Sequence, residues 1–83
     1  MNKAAAQPKV CYLFGERLRF LRKRAGLSQE DLAEAADLDR TYIGSVERGE
    51  RNISLVNLQQ IAAALGLTLS ALFSGLESDD PSI

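Results

Sequence analysis

The sequence predicts an all-α domain of five helices, and three observations carry that reading. Both prolines, Pro8 and Pro81, stand near the ends, so the interior is free of the strongest helix breaker. Gly26, Gly49, Gly66 and Gly75 recur at helix-like intervals, each after an apolar-periodic stretch where a C′ residue with positive φ belongs. No apolar–polar alternation is long enough for a sheet. Val10-Cys11-Tyr12-Leu13-Phe14 is the only β-favouring run, and a lone strand has nothing to pair with.

The first helix runs from about Val10 or Tyr12 to Ala25, with Phe14, Leu18, Leu21 and Ala25 at i, i+4, i+7 and i+11. The second starts at the N-cap Ser28, where Ser28-Gln29-Glu30-Asp31 resembles a capping box with Asp at N3, and runs to Ala36. Its buried stripe is Leu32, Ala33 and Ala36. Asp39 caps the third, Arg40 to Arg48, which turns Ile43 and Val46 inward. Ser54 caps the fourth, Leu55 to Leu65, with Leu55, Leu58, Ile61, Ala62 and Leu65 inward. The fifth, Leu69–Ser74 after Thr68, is short and contributes Leu72 and Phe73. Phe14, Leu18, Leu21, Leu32, Ala33, Ile43, Val46, Leu58, Ile61, Ala62 and Leu65 form one predicted core. Residues 1–8 and 77–83 are polar, small-residue segments expected to be poorly ordered tails, the second acidic, so the folded domain spans residues 9–76.

Eighty-three residues allow one small domain and not two cores. Hydrophobic residues at 46% and charged residues at 25% are ordinary globular proportions, which excludes a disordered or membrane chain. No apolar run approaches the ~18 residues of a membrane span. Lys3 and Lys9 flank an Ala-rich start without an apolar h-region behind it, so no signal peptide is expected and the address reads as cytoplasmic. The single Cys11 has no internal disulfide partner, and a chain without histidine has few ligands for zinc. Histidine is also the commonest general base, so triad or metal hydrolysis is hard to build. The chain reads as a binding module and not an enzyme, with no cofactor, no metal and no small-molecule ligand.

The net charge of −1 hides an uneven distribution. Residues 1–26 carry seven bases against Glu16, and residues 27–39 carry five acids and no base. Residues 40–51 hold Arg40, Arg48 and Arg51 against Glu47 and Glu50, and only Glu77, Asp79 and Asp80 are charged beyond them. A polyanion responds to whether bases share a face, not to their total.

The informative segment is Gln29–Arg48, QEDLAEAADLDRTYIGSVER, in which a turn of about three residues joins two short helices. Ala33 is small where the helices would cross at about 90–120°, Leu38 fills the turn, and Ile43 and Val46 pin the second helix back. This is helix-turn-helix spacing. Together with Arg22-Lys23-Arg24-Ala25-Gly26-Leu27-Ser28-Gln29, Val46-Glu47-Arg48-Gly49, Leu58, Ile61-Ala62, Leu65-Gly66-Leu67 and Leu72-Phe73, the segment resembles the XRE family of lambdoid phage repressors and Cro. The resemblance covers roughly Leu13–Phe73 and implies a lambda-repressor-like fold. Leu38-Asp39-Arg40-Thr41-Tyr42-Ile43, followed by Glu47-Arg48 and Arg51-Asn52, is similar to the controller proteins of restriction–modification systems. Asp37 stands where the wider family usually has glycine, and aspartate can occupy the left-handed region at moderate cost. Gly44-Ser45 is a small, weakly helical pair that departs from many relatives.

The docking geometry of such motifs places the N-terminal residues of the third helix at base edges in the major groove. Arg40 can reach guanine O6 and N7, and Thr41 can offer its hydroxyl or methyl. Gly44 and Ser45 continue the outward face one turn later, Gly44 permitting close approach rather than reading. Gln29 at the start of the second helix can hold a phosphate. Tyr42, Arg48, Arg51 and Asn52 are further backbone contacts, with a half-buried packing role equally open to Tyr42. The controller resemblance makes Arg51 a base reader as well, and the family resemblance implies that Arg22 and Glu47 pair to fasten the first helix to the third.

The resulting reading is a sequence-specific, homodimeric DNA-binding regulator of transcription, its partner double-stranded DNA with paired half-sites. Leu69, Phe73 and Leu76 in the fourth-to-fifth helix region are the expected two-fold interface, which would set two recognition helices ~34 Å apart. The alternative is a protein-interaction module or antitoxin of the same fold, with weak or absent DNA binding. The acidic balance of the chain favours that alternative, and the polar face of Arg40, Thr41, Arg48 and Arg51 opposes it.

Overall fold

The computed structural model describes residues 7–76. Five α-helices follow one another: α1 (Lys9–Arg24), α2 (Gln29–Ala36), α3 (Arg40–Glu47), α4 (Leu55–Leu65) and α5 (Leu69–Leu72), with no strand among the described residues. The β-favouring run at Val10–Phe14 lies within α1, where nothing offers it a strand to pair with. Of the two expected tails, only Gln7 and Pro8 fall within the described residues, and Pro8 is the N-cap of α1. No helix among these residues is long and apolar enough to cross a membrane.

Local chemistry explains the boundaries. The Ser28 hydroxyl accepts from the Asp31 N–H at 2.9 Å while the Asp31 carboxylate accepts from the Ser28 N–H at 3.1 Å, a reciprocal capping box. Hydrogen bonding to the carboxylate from the Ser28 backbone N–H, and secondarily from the Ser28 side chain, holds the Asp31 carboxyl below the ordinary aspartate range. Asp39, Ser54 and Thr68 cap α3, α4 and α5. Asp37 ends α2 at φ 59°, in the left-handed conformation that its position in the turn demands. The Gln60 side chain donates to the Ala36 carbonyl at 2.7 Å, so α4 completes the C-terminus of α2.

Boundaries of three helices differ from expectation: the first starts at Lys9 and stops at Arg24, with Ala25 as its C-cap. The third helix stops at Glu47, with Arg48 as its C-cap. The fifth stops at Leu72 rather than Ser74, because Arg17 of α1 donates to the Ala71 and Leu72 carbonyls at 2.9 and 3.4 Å and terminates the turn there.

The core joins Phe14, Leu18 and Leu21 of α1 to Leu32, Ala33, Ile43, Val46, Ile61 and Leu72 from the other four helices. The edge of the Phe14 ring meets Phe73 with centroids 5.9 Å apart. Two α4 residues of the expected core, Leu58 and Leu65, and the inward-expected Leu55 depart from expectation. Leu58 and Leu65 are only half-buried, though packed against the core, and Leu55 is 69% exposed. Ile61, fully buried, takes over as the anchor of α4. Ile61→Ala is therefore expected to cost ~2–5 kcal/mol in urea denaturation, and Leu58→Ala clearly less. Equal losses would contradict this packing.

At Gly15, α1 passes directly over the end of α3. A Cβ there would lie 2.5 Å from the Glu47 carbonyl oxygen and 2.6 Å from that of Val46, so only glycine permits the approach.

Candidate nucleic-acid interface

The third helix packs against both α1 and α2, which leaves a narrow part of its surface outside. What fixes its orientation is Glu47, 3% exposed at its C-terminal end. Arg22 donates to the two Glu47 carboxylate oxygens at 2.6 and 3.0 Å in a fork-to-fork pair. The third Arg22 nitrogen donates to the Leu27 carbonyl at 2.9 Å, and Gln29 Nε2 donates to Glu47 Oε1 at 3.0 Å. Arg19 adds a longer ion pair to the same oxygen at 3.6 Å. One carboxylate thus ties α1, the α1–α2 turn and α2 to α3. Burial pushes the Glu47 carboxyl up, but the hydrogen bonds from Arg22 and Gln29 and the charges of Arg22 and Arg19 outweigh it, leaving it below the ordinary glutamate range. The same hydrogen bond, against burial, holds Arg22 still more firmly protonated.

Held in this way, α3 exposes its first turn. Arg40 and Thr41 are exposed, and the Thr41 N–H is taken by the Asp39 carboxylate at 2.8 Å. Arg48, Arg51 and Asn52 are exposed beyond the far end of the helix. Arg48 is already partnered: it donates to both Glu50 carboxylate oxygens, at 2.9 and 3.1 Å, with both side chains about half exposed to solvent. The pair raises Arg48 and lowers Glu50 relative to their ordinary values.

Two assignments on α3 need correction. Gly44 and Ser45 were expected to face outward, and both are buried. A Cβ on Gly44 would meet Arg48 Nη1 at 3.3 Å and Gln29 Oε1 at 3.5 Å, so this position faces α2. The Ser45 hydroxyl donates to the Tyr42 carbonyl at 2.7 Å and accepts from Arg51 Nε at 3.0 Å. The causes differ: Gly44 is covered by Gln29 of α2 and by Arg48, and Ser45 is engaged by Arg51 of the segment that follows α3. The Gln29 side chain, expected to hold a phosphate, is half-buried and committed to Glu47.

Tyr42 is half-buried, its hydroxyl accepts from Asn57 Nδ2 at 3.1 Å, and the Arg51 guanidinium lies over its ring at 5.6 Å. Asn57, Glu50, Arg19 and Gly15 were absent from the sequence-level site. Asn57 reads as an ordinary helix-start residue, and nothing local links it to Tyr42, 15 positions away. Only the i, i+2 spacing of Arg48 and Glu50 offered a short-range clue. The expected interface residues separate by exposure: Leu69 and Leu76 are half-buried, while Phe73 is 37% exposed. Leu55 and Val56, 69% and 64% exposed, add apolar surface at the start of α4.

A helix-turn-helix family model matches residues 18–72. The control protein C.MunI from a Mycoplasma species is 57% identical over 67 residues, which is 80% of this chain and 90% of that protein. The crystal structure of the restriction–modification controller protein C.AhdI from Aeromonas hydrophila is similar with a TM-score of 0.77 at 52% identity, over 80% of this chain and 100% of that one. The controller protein C.Esp1396I, whose tetramer was solved in complex with its natural 35 base-pair operator, is similar with a TM-score of 0.79 at 30% identity, over 87% of this chain and 95% of that one. The family model spans well over half of the chain, and the chain belongs to the helix-turn-helix family, with control proteins among its relatives.

Proposed function

We propose that the chain is a sequence-specific, homodimeric regulator of transcription that binds double-stranded DNA at paired half-sites, with the first turn of α3 in the major groove. The observation that carries this reading is the exposed Arg40–Thr41 turn on a helix whose other sides are locked by the Glu47 network. A reading helix must hold its side chains still against base edges, and a buried carboxylate held by Arg22, Gln29 and Arg19 supplies that rigidity. Arg40 makes the bidentate contact to guanine, and Thr41 contacts the neighbouring base edge. Arg51, with Nε taken by Ser45, presents its remaining nitrogens as a second reading arm. Arg48, Asn52 and the backbone N–H groups opening α2 serve the phosphates.

The operator complex of C.Esp1396I supports this reading at 30% identity. Leu55, Val56 and Phe73 provide apolar surface for a two-fold contact through the α4–α5 region, with Leu69 and Leu76 at its base. Activity consists of binding and not catalysis, needs no cofactor, and is exercised in the cytoplasm.

The test begins with selection of bound fragments from random duplex DNA, followed by titration of the wild type and Arg40→Ala against the selected site and its single-base variants. Arg40→Ala should cost ~1–3 kcal/mol per half-site and relax preference at one position. Affinity of the wild type should fall between about 50 and 200 mM salt, less steeply than for a strongly basic protein. Salt-independent binding, or full discrimination by Arg40→Ala, rejects this function in favour of an interaction module that does not read DNA.

A further inference from the structure

Four side chains outside the Glu47 network form a second chain of contacts, and it crosses from α4 to the α3–α4 loop. Asn57 Nδ2, on the first turn of α4, donates to the Tyr42 hydroxyl at 3.1 Å. The Tyr42 ring carries the Arg51 guanidinium at 5.6 Å. Arg51 Nε donates to Ser45 Oγ at 3.0 Å, and that hydroxyl spends its own hydrogen on the Tyr42 carbonyl at 2.7 Å. A serine hydroxyl has one hydrogen and two lone pairs, so this use of Ser45 is chemically complete. Arg51 is therefore gripped on its Nε edge and on one face. Its two Nη groups make no hydrogen bond within the described residues.

We infer that Asn57 is a specificity-positioning residue, which holds the Tyr42 ring and through it aims Arg51 at a base edge. The inference rests on the DNA-reading function proposed above and names a residue that touches no DNA in that scheme. A long arginine loses considerable rotamer freedom when it docks, and a ring fixed beneath it removes part of that loss beforehand. The Tyr42 ring, on α3, packs half-buried against the core, and its hydroxyl end is the part left to be fixed from outside that packing. Asn57 holds it. Because its backbone N–H is satisfied separately by Ser54 Oγ at 3.1 Å, the side-chain amide is spare from a folding standpoint. Accepting from Asn57 also leaves the tyrosine's own hydroxyl hydrogen available to point outward.

The experiment is a double-mutant cycle of Asn57→Ala and Tyr42→Phe in the full chain, read on the selected site, its single-base variants and unrelated duplex. Asn57→Ala should bind the selected site about three- to tenfold more weakly per half-site, the scale of one hydrogen bond. The loss should be confined to the base position that Arg51→Ala relaxes, with unrelated duplex bound as before and thermal stability nearly unchanged. In the Tyr42→Phe background, which lacks the hydroxyl, Asn57→Ala should have no further effect. In the DNA-free chain, hydrogen exchange at Arg51 Nε, followed by NMR, should quicken in Asn57→Ala. Full discrimination by Asn57→Ala, uniform weakening on all sequences, or an equal loss in the Tyr42→Phe background overturns the inference. A wild type without sequence preference instead overturns DNA reading itself, and the Arg51 exchange rate in the DNA-free chain then decides whether Asn57 holds the arm.

Discussion

Arg22→Ala should destabilise the protein by ~3–5 kcal/mol at neutral pH, the cost of stranding a buried carboxylate without its main partner. That is a large share of what a domain of this size possesses. The pH dependence supplies a sharper signature than the magnitude. In the wild type Glu47 lies below the ordinary glutamate range, so its contribution is fully present above about pH 4.3 and is lost as the pH falls through the depressed value. In Arg22→Ala the principal opposing hydrogen bonds are gone, burial prevails, and the Glu47 carboxyl moves up. The deficit of the variant should therefore shrink as the pH is lowered toward 4, because a protonated Glu47 no longer strands a charge. Thermal unfolding of both proteins at pH 7 and near pH 4 measures this, and a deficit that stays constant or widens toward acid pH contradicts the account.

Gly15→Ala should cost about 3 kcal/mol, at the upper end of overpacking effects. The added methyl meets two backbone carbonyls, not the far end of a flexible side chain, so α1 and α3 must separate. Gly26→Ala is the internal comparison. It has φ 77° but nothing within 4 Å of the added Cβ, and should lose only about 1–2 kcal/mol from backbone strain. Separation at Gly15 also disturbs the carbonyls flanking Glu47, so DNA affinity should fall in Gly15→Ala and hold in Gly26→Ala. Equal stability losses, measured by chemical denaturation, would mean that the α1–α3 crossing is not a backbone contact.

These two positions also mark where sequence reading succeeds and stops. The caps Ser28, Asp39, Ser54 and Thr68, and the left-handed Asp37, were readable because each acts within four residues of itself. The core followed from helical period, except along α4, since period tells which residues share a face and not how deeply the neighbouring helices cover that face. Leu55 was misplaced for that reason. Ser45 and Gln29 were assigned to the DNA face by position, yet their hydrogen bonds join residues 6 and 18 positions apart. Arg22 and Glu47 stand 25 residues apart, and family resemblance alone suggested that they meet. Gly15 gave no sign at all, because inside a helix glycine looks only like a weak helix former.

The Arg48–Glu50 pair has a consequence for how the protein distributes itself among DNA sequences. A carboxylate with two oxygens at 2.9 and 3.1 Å from a guanidinium is a resident imitation of a phosphate. For a chain that binds DNA through this face, contact with any backbone is then an exchange of one anion for another rather than the filling of a bare cation. Exchange releases fewer counterions and weakens attachment wherever bases are not also matched. Glu50 thus lowers the background against which the operator is found. Most genomic duplex is competitor, so a small acidic regulator gains selectivity by being a poor general DNA binder.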